Sequence, residues 1–206
     1  MATPPIEEIL RSRARLHGML LPEPLVPKLV AYYALLARWN ARMNLTSLMD
    51  PEQAVDRLLL EPAKAGQSLP SGKALLDLGS GGGSPAIPLA LTTAAKSLTM
   101  VESKARKAAF LREALRSLGI HGSVECDRYE SVVPQLPTRM DVISVRAVKI
   151  DDAVLELIGD ALVPTGQIVL FVSDPPAVPA RTGLIVDRTV ALIPTLRSKA
   201  IYLKRA

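Results

Sequence analysis

The chain has 206 residues, 49% of them hydrophobic and 22% charged, which suits one full domain with an extension and excludes bulk disorder. Lys and Arg number 25 against 20 Asp and Glu, a net charge of +5 that admits a polyanionic partner without requiring one. One cysteine, Cys126, and two histidines, His17 and His121, exclude a disulfide framework and a cysteine-cage metal site, so no metal is expected.

The start, Met-Ala-Thr-Pro-Pro-Ile-Glu-Glu, lacks the charged and apolar regions of a secretion signal. Residues 1–70 read as a helical extension. Ile6, Ile9, Leu10, Leu16 and Leu20 recur near helical spacing, and so do Leu25, Leu29, Tyr32, Tyr33 and Leu36. Pro22, Pro24 and Pro27 separate the two segments. A third helix is expected from Pro51, capped by Asp50, to Leu60, with Pro62 ending it. Residues 68–72 are rich in turn formers and make the junction.

Residues 71–206 follow another pattern. Apolar runs at 74–78, 98–101, 123–126, 141–145 and 167–172 read as buried strands. Helices are expected at 104–118, with Ser103 placed to cap it and Gly119 to stop it, and at 151–162. Cys126 falls in the third run and reads as a core thiol, while His121 and His17 read as surface residues. Two last strands, 184–192 and 200–204, suggest a hairpin at one edge. The fold class is therefore α/β, a doubly wound, Rossmann-like, mostly parallel sheet behind an N-terminal helical extension. The least charged stretch, 74–95, contains Asp77, a glycine cluster, Pro85 and Pro88, so it is no membrane span, and a cytoplasmic location is expected.

In such sheets ligands bind at the carboxyl ends of the strands. The loop after the first strand reads Asp77-Leu78-Gly79-Ser80-Gly81-Gly82-Gly83-Ser84-Pro85. A dinucleotide loop would want glycine at Gly79, Gly81 and position 84, where Ser84 stands. S-adenosylmethionine fits better. It calls for an acidic residue ahead of the loop, which is Asp77, and for a Gly-x-Gly-x-Gly core, which Gly79, Gly81 and Gly83 supply. It also calls for a carboxylate after the second strand to take the ribose hydroxyls, and Glu102 stands there.

Trp39-Asn40-Ala41-Arg42-Met43-Asn44-Leu45-Thr46 resembles the opening signature of the RsmG (GidB) family of small-subunit ribosomal RNA guanine-N7 methyltransferases. The stretch from Leu76 to Ala90 is similar to that family's glycine loop, and Val101 to Arg112 to its second-strand and helix motif. Asp127-Arg128-Tyr129-Glu130 and Ser144-Val145-Arg146-Ala147-Val148 correspond to two further motifs, so the resemblance runs in order over roughly residues 30 to 206. It implies the class I methyltransferase fold, S-adenosylmethionine as cofactor and 16S ribosomal RNA as partner; no DNA or membrane partner and a monomeric state are expected besides. It also implies that Gly79 and Ser84 line the cofactor, that Tyr129 and Glu130 contact the adenine, and that Arg146 sits by the methionine end and the incoming base. The chain departs from the pattern at Leu58, where a histidine is usual, at Glu61-Pro62-Ala63, at Ser84, at Val145, and at Ser173 after the fifth strand, where a Lys-Gly pair is usual.

Guanine N7 carries a lone pair and no proton, so methylation there needs proximity and orientation, not a general base. The lack of a His or Cys catalytic set is compatible with that chemistry. Arg146, with Lys149 behind it, is the candidate for steering the base at O6. Asp174-Pro175-Pro176-Ala177 is similar to the motif of amino-group methyltransferases, but it follows the fifth strand and lacks the aromatic residue, so it reads as a rigid loop. Basic residues cluster at Arg11, Arg13 and Arg15, at Lys104, Arg106, Lys107, Arg112 and Arg116, and at Arg197, Lys199, Lys204 and Arg205. Two other readings share the cofactor loop. One is a small-molecule methyltransferase, the other a degenerate, RNA-associated module without methyl transfer.

Overall fold

The computed structural model describes residues 4–47, 50–173, 176 and 178–206. Seven strands form one sheet: β1 (Ala74–Leu78), β2 (Ser97–Val101), β3 (Gly122–Glu125), β4 (Met140–Arg146), β5 (Leu162–Val172), β6 (Leu184–Ala191) and β7 (Lys199–Arg205), in the order β3-β2-β1-β4-β5-β7-β6. The first five run parallel, and β7 inserts antiparallel between β5 and β6. The two last strands therefore pair as a hairpin whose second strand faces inward. The chain winds from β1 outward through β2 to β3, then crosses to β4, so the carboxyl ends of β1 and β4 open the crevice where such sheets take ligands.

Helices cover both faces. α1 (Ile6–Leu16), α2 (Val26–Met43), α3 (Pro51–Ala54), α4 (Glu61–Gly66), α5 (Ala86–Thr92) and α6 (Ala105–Leu118) lie on one face. Leu29, Tyr32, Leu59, Leu89, Leu111 and Tyr202 join in one buried cluster there, so the helical extension and the sheet share a core. α7 (Tyr129–Val132) and α8 (Asp152–Asp160) lie on the other face, where Val154, Leu155 and Ile158 pack on Leu76, Ile143 and Ile168.

Several expectations change. α1 stops at Leu16, where the His17-Gly18 turn closes it, so Leu16 and Leu20 are exposed and not part of the core stripe. His17 is not a surface residue, because its ring turns in to within 3.1 Å of Asp56, which also pairs with Arg13. Ser103 does not cap α6. Its cap residue is Lys104, and the side chain that accepts the Lys104 amide is Glu102, at 2.8 Å. Gly119 does end that helix, with a φ of 62°. Cys126 is exposed, because the edge strand β3 ends at Glu125.

Pro62 does not end the third helix. From Pro51 to Gly66 the helix is continuous, and its middle, Val55–Leu60, is a π turn. A proline has no N–H to give to the carbonyl of residue 58 or 57. The Leu58 oxygen instead accepts the Ser84 hydroxyl at 2.7 Å, and the Arg57 oxygen accepts Arg146 Nη1 at 2.9 Å. The irregular turn is thereby fastened to the glycine loop and to the end of β4.

Candidate functional site

The loop from Gly79 to Pro85 joins β1 to α5 across this crevice. Gly79, Gly81 and Gly83 all hold positive φ, at 68°, 53° and 85°. A Cβ at Gly79 would also lie 2.9 Å from Val148 Cγ2, and one at Gly83 would lie 2.6 Å from Ile87 Cδ1. Gly79 thus keeps the crevice floor thin, while Gly83 lets α5 pack under the loop. The buried Tyr32 on α2 donates its hydroxyl to the Gly82 carbonyl at 2.6 Å and ties the helical extension to the loop.

Two clefts meet at Gly79 and Glu102. The larger, about 680 Å³, is lined by Leu45, Thr46, Ser47, Gln53, Arg57, Leu58, Gly79–Gly82, Ser84, Glu102, Lys107, Arg146 and Ser173, among others. The smaller, about 400 Å³, is lined by Val101, Ser103, Lys104, Asp127, Arg128, Tyr129 and Glu130. Glu102 is 7% exposed. Its Oε2 accepts the Gly81 amide at 2.9 Å and its Oε1 accepts the Lys104 amide at 2.8 Å. A carboxylate offers about four acceptor positions. The two amides fix its orientation and leave capacity at the joint between the clefts.

Of the residues singled out from the sequence, Gly79, Gly81, Ser84, Glu102 and Arg146 share the larger cleft, and Tyr129 and Glu130 stand in the smaller one. Asp77 and Gly83 line neither. Asp77 is fully buried beneath the loop, where Ser144 donates to its Oδ1 while its Oδ2 has no partner. Burial pushes its carboxyl up to about 6, against the opposing hydrogen bonds from Ser144 and Ser80 and the attraction of Arg146. Lys149 is exposed and lines neither cleft.

Arg146 is almost enclosed. Its two terminal nitrogens donate to the backbone oxygens of Arg57, at 2.9 Å, and Ser84, at 2.7 Å, and its guanidinium stands 5.9 Å from the Phe171 ring centre. Burial lowers its pKa, opposed by the nearby Glu61 carboxylate. Sequence reading passed over Arg57 and Gln53. Their helix was expected to be an ordinary one, and no spacing rule marks a π turn as a cleft wall. Asp174, Pro175 and Ala177 of the Asp-Pro-Pro-Ala segment lie outside the described residues.

The site fits S-adenosylmethionine on three counts: a glycine loop whose positive φ values and close packing exclude side chains, an oriented carboxylate with spare acceptor positions, and two clefts joined at that carboxylate.

The family profile for rRNA small subunit methyltransferase G (GidB) matches residues 25–175. A protein of Stenotrophomonas maltophilia (strain K279a) named ribosomal RNA small subunit methyltransferase G is 38% identical over 151 residues, which is 73% of this chain and 70% of that protein. Its namesake in Xanthomonas axonopodis pv. citri (strain 306) is 40% identical over 141 residues, 68% of this chain and 65% of that protein. A third, from S. maltophilia (strain R551-3), is 46% identical over 105 residues, 51% of this chain and 49% of that protein. The chain thus spans between half and 70% of these relatives' length.

Among solved structures, a mutant of MtNAS in complex with S-adenosylmethionine superposes with a TM-score of 0.58 at 15% identity, covering 98% of this chain and 88% of that one. The putative methyltransferase yhhF from Escherichia coli superposes with a TM-score of 0.54 at 18% identity, covering 66% of this chain and 79% of that one. These two likenesses concern the fold. No helix among the described residues is long and apolar enough to cross a membrane.

Proposed function

The chain belongs to the family of rRNA small subunit methyltransferase G, and from that premise we propose that it is a cytoplasmic, monomeric enzyme that moves a methyl group from S-adenosylmethionine to guanine N7 of 16S ribosomal RNA. The observation that carries the reading is Glu102, fixed by two amides at the joint of the two clefts. A ribose diol placed there finds a charged acceptor, and charge-assisted bonds of this kind are strong. Adenine then falls to the Tyr129 and Glu130 side, and the amino-acid part to the side of Gly81, Gly82 and Arg57. When bound, the cofactor supplies an electrophilic methyl group on a positively charged sulfur.

The chain's own residues orient, enclose and exclude water. No proton leaves guanine N7, and the cleft needs no base to take one. Arg146, expected to meet the base, acts in this reading as a positioning residue, because it is almost enclosed and one N–H of each terminal nitrogen holds the Arg57 or Ser84 carbonyl. Asp77 likewise supports the loop from below.

The RNA side is served by α6. Its Lys104 and Lys107 line the two clefts, and with Arg106 and Arg116 they have no acidic partner among the described residues. Two of the three first-helix arginines are spent otherwise. Arg11 pairs with Glu7 and Glu23, and Arg13 with Glu52 and Asp56. Phosphate contacts along α6 would weaken steeply with salt. The test is transfer of labelled methyl from S-adenosylmethionine to 16S ribosomal RNA taken from cells lacking the modification. The expected result is a single labelled 7-methylguanosine. Label in a small molecule and none in RNA would overturn the reading.

A further inference from the structure

The larger cleft holds a guanidinium that the roles above leave unused. Arg57, in the π turn, is about one-third exposed, and its Nη1 donates to Glu61 Oε1 at 3.0 Å. Among the described residues its Nη2 and Nε have no acceptor. Glu61 is fully buried. Its Oε1 also receives the Ser198 hydroxyl, and its Oε2 lies 3.7 Å from Arg146 Nη1 without a hydrogen bond. Glu61 is therefore shared between two guanidiniums at this corner of the cleft, and Arg146 is also attracted by the buried Asp77 beneath the loop. Arg146 is 10% exposed and already holds two carbonyls, whereas Arg57 is 35% exposed and lines the larger cleft with Nη2 and Nε free of acceptors among the described residues.

The corner has a definite place along the cofactor. Glu102 follows β2, on one side of β1, while Arg146 ends β4, on the other side. A ligand whose ribose sits at Glu102 and whose adenine lies toward β3 extends its remaining part across the glycine loop toward β4. We infer that Arg57, oriented by Glu61, binds the α-carboxylate in the methionine part of S-adenosylmethionine, an assignment that rests on the cofactor reading above.

A guanidinium with unfilled donors in a partly enclosed wall favours an anion over a neutral carbonyl. The planar guanidinium fork matches a carboxylate in geometry. The target base is the poorer partner. Guanine gains a formal positive charge when N7 is methylated, and a cation placed against it would oppose that change. The methionine carboxylate keeps its charge throughout.

Titration calorimetry on the full chain tests the assignment with two probes, S-adenosylhomocysteine and 5′-methylthioadenosine. The second keeps the adenosine and the thioether but has no carboxylate. Arg57→Ala should weaken S-adenosylhomocysteine binding roughly tenfold or more while leaving methylthioadenosine within about twofold. Arg57→Lys, which keeps the charge and loses the fork, should fall between. Equal losses for both probes would make Arg57 a structural support and overturn the inference, as would an unchanged S-adenosylhomocysteine affinity, including the case where methyl transfer alone declines. A wild-type chain that binds neither probe would overturn the cofactor reading itself, an outcome distinct from a wild type that binds both and a variant that matches it.

Discussion

Two carboxylates lie buried behind the clefts without meeting solvent, and each has one oxygen with no hydrogen-bond partner, Asp77 Oδ2 and Glu61 Oε2. Burial raises the pKa of both. For Asp77 the sign of the consequence is definite. Its carboxyl titrates near 3.8 when unperturbed and at about 6 in the folded chain. Between those values the folded chain retains a proton that the unfolded chain has released, so stability falls as pH rises through the window. The displacement corresponds to roughly 3 kcal/mol at most. Asp77→Asn removes the titration. The stability of the variant relative to wild type should therefore be higher at pH 7 than at pH 4, by up to that amount. Denaturant unfolding at the two pH values measures the difference, and the same offset at both would show that Asp77 is not held in a raised state. The gain measures what the chain gives up to keep an acidic residue under the loop. Glu61, set between Arg57 and Arg146, has its rise opposed by both.

The strands and the helices that pack on them differ in how plainly their sequences declare them. β1, β2 and β4 are apolar runs that end at the glycine loop, at Glu102 and at Arg146, so their existence, order and functional ends were legible. α5 was not. Its segment opens on Pro85 and contains Pro88, residues that normally mark a break, yet both prolines fall in the first turn, where an N–H has no partner to lose. The π turn was illegible for the same kind of reason. Pro62 reads as a stop, and only the fold reveals that Arg146 and Ser84 use the carbonyls that it frees. The Tyr32 contact joins residues 50 positions apart, beyond any local pattern. That contact carries a prediction. Tyr32→Phe keeps the buried ring and loses one bond to the Gly82 carbonyl, so it should cost about 1 kcal/mol of stability. Because the bond steadies the glycine loop, which lines the cofactor in the proposed reading, the substitution should also weaken S-adenosylmethionine binding roughly fivefold. Calorimetry checks both consequences, and unchanged affinity with reduced stability would confine the bond to packing.

At the scale of the whole molecule, the helical extension and the sheet act as one body. α2 and the π turn supply core residues such as Leu29, Tyr32 and Leu59, and they also supply one wall of the cleft, through Leu36, Arg57 and Leu58. The other wall is the switch point of the sheet, with the β1 loop, Glu102 after β2, and the end of β4. Three of the positions where the chain departs from the family pattern, Leu58, Ser84 and Ser173, meet at this junction. Leu58 and Ser84 are joined by a hydrogen bond and Ser173 lines the same cleft, while Val145 is buried in the core on the α8 face of the sheet. These three departures line the cleft and leave its carboxylate, Glu102, and the glycine floor unchanged. On the proposed reading the chain should still leave its mark on the ribosome. The most direct measurement is a nucleoside-resolved map of the 16S ribosomal RNA from cells with the gene deleted and from the same cells complemented with it. The account predicts that one 7-methylguanosine disappears on deletion and returns on complementation, whereas identical maps in the two strains would contradict it.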